Sequence, residues 1–349
     1  MLSFAFLYMI AATASFVLLP RQTNDGSMDA QMAPNTLYMT SPKYVFLGRR
    51  VLDSPGRKVI LVGASNTGNG FQAKIIQPNL SCAKISNLGV GGANIYEVRQ
   101  IVDLVHEIQD ETIRRSNTFV IGIWYGMFVD SDVRYADPDR NRGDTDIDIE
   151  RYRYGFYRRS LNGPVEVLPA KWLDAGVTFL RPLLVLEKLT RDARAGVLRM
   201  LTGHSAERTD AEREMAVMTD KEKRDALNYW RESMGNKKDI SKEEIAILKS
   251  TVDELLLSGE QVVIADLPIP AWHRDASPYQ AGYNQALNDM VQQFADRPGF
   301  KFMSMADLDG NLDYSDEVHA KPHLAKVWST RLAGLLNSFV CGAEARASR

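Results

Sequence analysis

Short apolar runs rich in β-branched residues alternate with longer amphipathic stretches along most of this chain. Five runs predict strands, at 58–64 (KVILVGA), 83–90 (AKISNLGV), 117–126 (NTFVIGIWYG), 261–268 (QVVIADLP) and 300–306 (FKFMSMA). Apolar positions at helical spacing predict helices over 94–108 and from Ser241, an expected N-cap, to Gly259. Because the strands are apolar throughout and helices separate them, the pattern predicts an α/β fold with a parallel sheet covered on both faces.

The stretch 129–240 departs from this pattern. Its first part mixes Asp, Arg and Tyr, 177–189 (VTFLRPLLVLEKL) favours a short amphipathic helix, and 205–225 is almost wholly charged. We interpret 129–240 as one long insertion between the third and fourth strands, with helices of its own. The Arg- and Tyr-rich part at 132–160 either binds a polymer such as a glycan or forms a solvated face of charge pairs.

The N-terminus is apolar and uncharged from Leu2 to Leu19, 18 residues that would extend roughly 27 Å as a helix. We expect a membrane anchor at 1–20, a linker at 21–57, the α/β domain at 58–340 and a tail at 341–349. The alternatives are a cleaved signal peptide, for which ATA at 12–14 fits a small-x-small site, and a buried helix. Basic residues follow the span and none precedes it, which weakly opposes export of the domain by the charge rule.

Composition excludes some classes of partner. The chain has 349 residues and a net charge of −2, so neither nucleic acid nor an anionic membrane surface is expected as a partner from charge. The two cysteines, Cys82 and Cys341, have no metal-ligand spacing, and we expect neither a metal nor a cofactor. They pair in an oxidising compartment or remain two buried thiols, and the sequence leaves both open.

The first strand ends on Ser65 between small residues, in VGASNTGNG. Such a loop either cradles a phosphate or presents the serine as a nucleophile. A phosphate loop of the Walker type requires a Lys and a Ser or Thr after the last glycine, and a dinucleotide fingerprint requires a second close glycine. Neither requirement is met. The first lysine after the glycines is Lys74, and GASNTG at 63–68 lacks the second close glycine. The nucleophile interpretation is therefore favoured.

A serine nucleophile needs a base, and histidine suits that role near neutral pH. His319 stands out among the five histidines, because Asp316 precedes it by three residues and can reach its ring, as the third member of a Ser-His-Asp arrangement does. His323 is the rival base, four residues further on. The other three are His106 on a predicted helix, His204 in the charged insertion 129–240, and His273.

The order of these motifs resembles the SGNH/GDSL hydrolase superfamily. Gly63-Ala64-Ser65 matches its first block, NLGVGG at 87–92 resembles its second, and Asp316-x-x-His319 matches its last. The resemblance covers about 58–128 and 241–340. It implies a flavodoxin-like fold with five parallel strands, Ser65, His319 and Asp316 as catalytic residues, and a backbone N–H near Gly92 in an oxyanion hole with that of Ser65.

The third block departs from the family, which has Gly-x-Asn where this chain has GIWYGMF. Loss of one oxyanion donor costs on the order of 3 kcal/mol of transition-state stabilisation unless another group substitutes. Asn66 and Asn94 are the candidates, by their positions beside Ser65 and Gly92.

This departure, the apolar N-terminus and LPIPAWHRD at 267–275 resemble the exported SGNH-like proteins that partner membrane-bound O-acyltransferases. Those proteins serve alginate or cellulose acetylation and teichoic acid D-alanylation. The resemblance implies an acyl-serine intermediate, transfer to a polysaccharide acceptor, and a membrane-anchored domain in the periplasm or outside the cell. The alternatives are a carbohydrate or lipid esterase, and a catalytically weak glycan-binding accessory subunit.

Overall fold

The structure is a computed structural model. It describes residues 2–18, 52–136, 144–153, 157–160, 163–167 and 210–342, with isolated positions between 172 and 201. The helix expected at 177–189 and most of the expected linker lie outside the described residues.

The described strands are β1 (Lys58–Gly63), β2 (Lys84–Gly89), β3 (Asn117–Ile123), β4 (Tyr157–Ser160), β5 (Gly163–Glu166), β6 (Gln261–Asp266) and β7 (Phe300–Ser304). Five of them form one sheet in the order β2-β1-β3-β6-β7, and every neighbouring pair in it is parallel. The prediction of five parallel strands is confirmed. In this order β2 is the edge strand and β1 lies next to it inside the sheet, as in a doubly wound α/β fold.

The α-helices with described bounds are α1 (Leu2–Leu18), α2 (Ser65–Gly70), α3 (Ala73–Ile76), α4 (Ile95–Ile108), α5 (Glu111–Arg114), α6 (Ser131–Arg134), α7 (Asp146–Arg153), α8 (Asp210–Met215), α9 (Asp220–Ser233), α10 (Lys242–Leu257), α11 (Ala271–Ala276), α12 (Gln280–Phe294) and α13 (Pro322–Leu336). Helix α10 begins as expected, because the Ser241 side chain caps it by accepting from the Glu244 N–H at 3.3 Å.

Both faces of the sheet are covered. Alternate residues of β1 enter two separate apolar clusters, with Ile60 and Val62 in one and Val59 and Leu61 in the other. The first cluster includes the buried faces of α4, α10 and α12, and the second those of α3 and α13. The prediction of a sheet buried between two helical layers is therefore confirmed.

The chain between β3 and β6 contains local structure of its own. The described parts form helices α6 to α9 and an antiparallel hairpin in which Tyr157 of β4 pairs with Glu166 of β5. The hairpin was not expected from the sequence, because its strands, YRRS at 157–160 and GPVE at 163–166, show no clear alternation of apolar and polar residues.

Two features concern the ends of the chain. Among the helices of the described residues, none is long and apolar enough to cross a membrane. At the other end, Cys341 forms a disulfide bond with Cys82, across a sequence separation of 259 residues. Of the two states that the sequence left open, the structure has the paired one.

Candidate active site

Ser65 stands at the turn between β1 and α2, at the carboxyl edge of the sheet. The turn begins at Gly63, which has φ +151°, a conformation that L side chains rarely adopt. Ala64 is the N-cap of α2, so Ser65 is the first residue of that helix. The Ser65 residue is half-buried, whereas the flanking Ala64 and Asn66 are buried.

Three glycines let α2 pack closely on the strand ends. Gly63 pairs in register with Gly89 of β2 on one side and with Gly122 of β3 on the other. A Cβ at Gly63 would lie 2.6 Å from the Gly122 carbonyl oxygen and closer still to the Thr67 hydroxyl. The Thr67 hydroxyl in turn donates to the Gly122 carbonyl at 3.3 Å. Larger residues in this row would push α2, and Ser65 with it, away from the sheet.

Asp316 and His319 share one tight loop that follows β7. The loop closes on itself, because the Ser315 N–H donates to the His319 carbonyl at 2.9 Å and Tyr314 forms a β-bridge with Ala320. Within it, Asp316 Oδ1 accepts the backbone N–H groups of Val318 at 3.0 Å and His319 at 2.8 Å. The carboxylate is thus held in place by the loop that it helps to shape.

The structure brings Ser65, His319 and Asp316 together. His319 Nε2 lies 2.8 Å from Ser65 Oγ, and His319 Nδ1 lies 2.8 Å from Asp316 Oδ2. These are the two contacts of a serine, histidine and aspartate triad, in which the carboxylate orients the imidazole whose other nitrogen faces the hydroxyl. The His319 side chain is 26% exposed, so solvent reaches the site.

Asp316 and His319 shift each other's pKa. Burial lowers the pKa of His319, but the hydrogen bond and the negative charge of Asp316 outweigh burial, and the net shift of the pKa is upward. Burial raises the pKa of Asp316, and the hydrogen bonds and charge of His319 outweigh it, so the pKa of Asp316 is lowered. An ionised Asp316 beside His319 therefore stabilises the imidazolium that forms when His319 accepts a proton.

The other histidines considered as bases have different partners. His323 contacts Glu214 through Nδ1, and its Nε2 lies 3.3 Å from Asp313 Oδ1. His106 Nε2 lies 2.9 Å from Glu260 Oε2. His204 lies outside the described residues. Of the histidines described, the one that contacts Ser65 Oγ is His319.

The three residues expected at an oxyanion hole are placed differently from one another. Asn94 is fully buried and caps α4, with Oδ1 accepting from the Glu97 N–H at 3.0 Å. Its amide nitrogen lies 3.2 Å from Glu244 Oε1, so its side chain holds the turn before α4. Gly92 is exposed, with φ +73°, and its carbonyl accepts from Arg134.

Asn66 has a buried side chain beside the serine. Its Oδ1 accepts from the Thr67 N–H at 2.9 Å, and its Nδ2 is buried without a hydrogen-bond partner in the described structure. Since Nδ2 is covered, its protons are not presented to solvent in this conformation. The missing amide donor of the third block therefore has no accessible replacement from Asn66 or Asn94 in this conformation.

Sequence reasoning missed a buried pair beside the triad loop. Tyr125 lies in the short 3₁₀ turn Tyr125–Met127 that follows β3, and its hydroxyl is 2.5 Å from His273 Nε2. His273 Nδ1 is 2.8 Å from the carbonyl oxygen of Glu317, between Asp316 and His319. The signal was present in LPIPAWHRD, which contains His273, but no spacing connects that histidine to Tyr125.

The described residues contain no cluster of three or more His, Cys, Asp or Glu side chains that could hold a metal ion. No protein-family model and no curated protein matches this sequence.

Proposed function

We propose that this chain is a serine-dependent O-acyl transfer enzyme with an SGNH-like fold. The observation that carries the proposal is the contact series from Ser65 Oγ to His319 Nε2 and from His319 Nδ1 to Asp316, each at 2.8 Å. Support also comes from the position of Ser65 at the carboxyl edge of a doubly wound sheet, where ligands bind in such folds. The order of the motifs along 58–128 and 241–340 supports the resemblance, and we propose that the stretch 129–240, which lies outside it, is an insertion in that fold.

In the proposed reaction, Ser65 Oγ attacks the carbonyl carbon of an acyl ester or thioester while its proton passes to His319 Nε2. The tetrahedral intermediate collapses, the bond to the leaving oxygen or sulfur breaks, and His319 returns the proton to the leaving group. An acceptor hydroxyl then gives its proton to His319 and attacks the acyl-serine. The bond between the acyl carbon and Ser65 Oγ breaks, and His319 returns the proton to Oγ, which regenerates Ser65. The backbone N–H groups of Ser65 and of the turn at Gly92 are the proposed oxyanion donors.

We propose a polysaccharide as acceptor and a membrane-bound O-acyltransferase as the source of the acyl group. The motif resemblance supports both. The disulfide between Cys82 and Cys341 supports a domain that works in an oxidising compartment, such as the periplasm or the cell exterior. A membrane anchor at the N-terminus belongs to the same proposal.

Hydrolysis is the second candidate. It is favoured by the half-buried Ser65 and by the part of the His319 side chain that solvent reaches, because water could then attack the acyl-serine. Transfer and hydrolysis share the first half of the reaction, so they differ only in which hydroxyl accepts the acyl group.

The test uses the purified full chain with p-nitrophenyl acetate, with and without a soluble oligosaccharide. Release of p-nitrophenol reports acylation. Mass spectrometry measures how much of the acetyl group is found as free acetate and how much on the sugar. We expect a Ser65-linked acetyl group and acetylated sugar, and Ser65→Ala should give neither. Free acetate alone would indicate an esterase. A wild-type chain that neither acquires acetyl at Ser65 nor releases p-nitrophenol would contradict the proposal.

A further inference from the structure

The triad loop makes a buried contact with a distant part of the chain. Glu317 lies between Asp316 and His319, and its carbonyl oxygen is 2.8 Å from His273 Nδ1 on α11. His273 is 0% exposed, and its Nε2 is 2.5 Å from the hydroxyl of Tyr125, directly after β3. One imidazole therefore joins the loop that carries the base to the edge of the central sheet.

The partners decide which nitrogen of His273 carries the proton. A carbonyl oxygen only accepts hydrogen bonds, so Nδ1 donates to Glu317 and Nε2 accepts from the Tyr125 hydroxyl. Burial lowers the pKa of His273 to about 4, so the ring is neutral near neutral pH. The hydroxyl of Tyr125 thus favours the one tautomer that can donate to the loop.

We propose that Tyr125 and His273 are positioning residues that hold the Asp316–His319 loop at the correct distance from Ser65; the catalytic part of this inference rests on the proposed function. The internal bonds of the loop, from Ser315 to His319 and from Tyr314 to Ala320, join its two ends but do not hold the part around Glu317 against the sheet. Val318 and Tyr314 pack in the apolar clusters, and the Tyr125–His273 pair adds a directed hydrogen bond at the carbonyl between Asp316 and His319.

The reaction tolerates little displacement of His319 from Ser65, so an attachment that fixes the loop affects the rate. Ser65 lies on α2 and His319 on the loop after β7, so their 2.8 Å contact depends on two elements that are separate in sequence. A displacement of about 1 Å at a reacting centre can cost on the order of 100-fold in rate. Loss of the bond to the Glu317 carbonyl, which lies between Asp316 and His319, would free this part of the loop to move by that amount and would loosen the contact between the two side chains.

The first test measures the triad loop directly, without catalysis. The pKa of His319 is followed by NMR titration in the full chain, with the signal assigned by its loss in His319→Ala. The charged groups that act on His319 are Asp316, Glu317 and Arg213. In His273→Ala, a looser loop weakens the contact with Asp316, so we expect the pKa of His319 to fall.

Three further variants separate positioning from general loss of stability. His273→Asn can place an amide N–H where Nδ1 donates, so it should restore most of the His319 signal. Tyr125→Phe keeps the ring packed on Tyr279, with centroids 5.8 Å apart, and removes only the hydroxyl, so its effect should be intermediate. His106→Ala removes another histidine, one paired with Glu260, and should lower stability without moving the pKa of His319.

The second test measures the rate at which a fluorophosphonate labels Ser65. We expect His273→Ala to slow labelling on the order of 10- to 100-fold, and His273→Asn and His106→Ala to change it little. An unchanged His319 pKa and labelling rate in Tyr125→Phe and His273→Ala would overturn the inference. If the His319 pKa falls as expected but wild-type Ser65 is never labelled, the positioning role stands and the proposed function fails.

Discussion

At the scale of single residues, the effects of replacing Ser65 and His319 should not be additive. His319 Nε2 faces Ser65 Oγ at 2.8 Å, and neither can carry out its step without the other. We expect Ser65→Ala and His319→Ala each to lower p-nitrophenyl acetate turnover by roughly 10⁴-fold or more, and the double variant to be no worse than either. The exposed Ser338, changed to Ala, is the matched control and should retain full activity. Additive losses in the double variant would show that the two residues act independently.

The pH dependence of the reaction follows from Asp316. His319 must be neutral to accept the proton, and its pKa is raised, so activity should fall as the pH drops through a value above the usual 6.5 or so. Asp316→Asn removes the charge that opposes the effect of burial. The acid limb of the rate profile should then move to lower pH, while the plateau falls by less than in Ser65→Ala.

Rate profiles of p-nitrophenyl acetate turnover between about pH 5 and pH 9 would measure both effects. An acid limb that stays in place in Asp316→Asn would show that another group titrates.

The residues of the triad could be predicted from sequence because their relation is partly local. Asp316 accepts from the backbone of His319 within one loop, and such a contact needs only the spacing Asp-x-x-His. The network of Asn94 could not be read in this way, since its amide contacts Glu244, 150 residues further along the chain. Likewise, nothing local relates His273 to Tyr125.

At the scale of elements, the row of glycines under α2 sets the position of the serine. In Gly63→Ala, the added Cβ would meet the Gly122 carbonyl and the Thr67 hydroxyl, on a backbone with φ +151°. The variant should lose stability by more than the ~1–3 kcal/mol that backbone strain alone costs, and Ser65 should no longer be labelled by a fluorophosphonate.

Gly56→Ala is the matched control for this prediction. Gly56 also has a positive φ, +101°, but a Cβ there would meet nothing within 4 Å. It should therefore show the cost of strain without the displacement of α2, and Ser65 should remain reactive. Thermal unfolding and the labelling rate, measured side by side, compare the two. Equal behaviour of the two variants would mean that close packing of α2 is not required.

The main elements were predictable wherever one physical pattern dominated. The strands β1, β3 and β6 are apolar in succession and buried on both faces, and α10 has a serine cap and a glycine after its end. Helix α9 lies in the stretch that was expected to have helices of its own, but its bounds could not be predicted because no residue of it is buried. Its N-terminus instead has a capping box between Thr219 and Glu222, a signal that is easily overlooked within a charged stretch.

At the scale of the whole molecule, the topology brings distant motifs to one edge. In a parallel sheet the carboxyl ends of the strands lie together, so the turn after β1, the turn after β2 and the loop after β7 share that edge. The sequence predicted the parallel sheet, and this edge follows from it. The pairing of Cys82 with Cys341 could not follow, because it depends on where α13 ends relative to the segment before β2.

That disulfide gives a prediction about stability alone. It links the segment before β2 to the turn after α13, so it closes a long loop of the unfolded chain and restricts that state. Changing both cysteines to alanine should lower the free energy of unfolding by about 2–5 kcal/mol. Both lie away from Ser65 in sequence, and the triad contacts involve neither, so folded protein should still be labelled at Ser65. Denaturant unfolding with and without a thiol reductant measures the effect. The reductant should destabilise the wild-type chain and leave the double variant unchanged; equal unfolding of the wild-type chain in both conditions would show that the bond does not stabilise it.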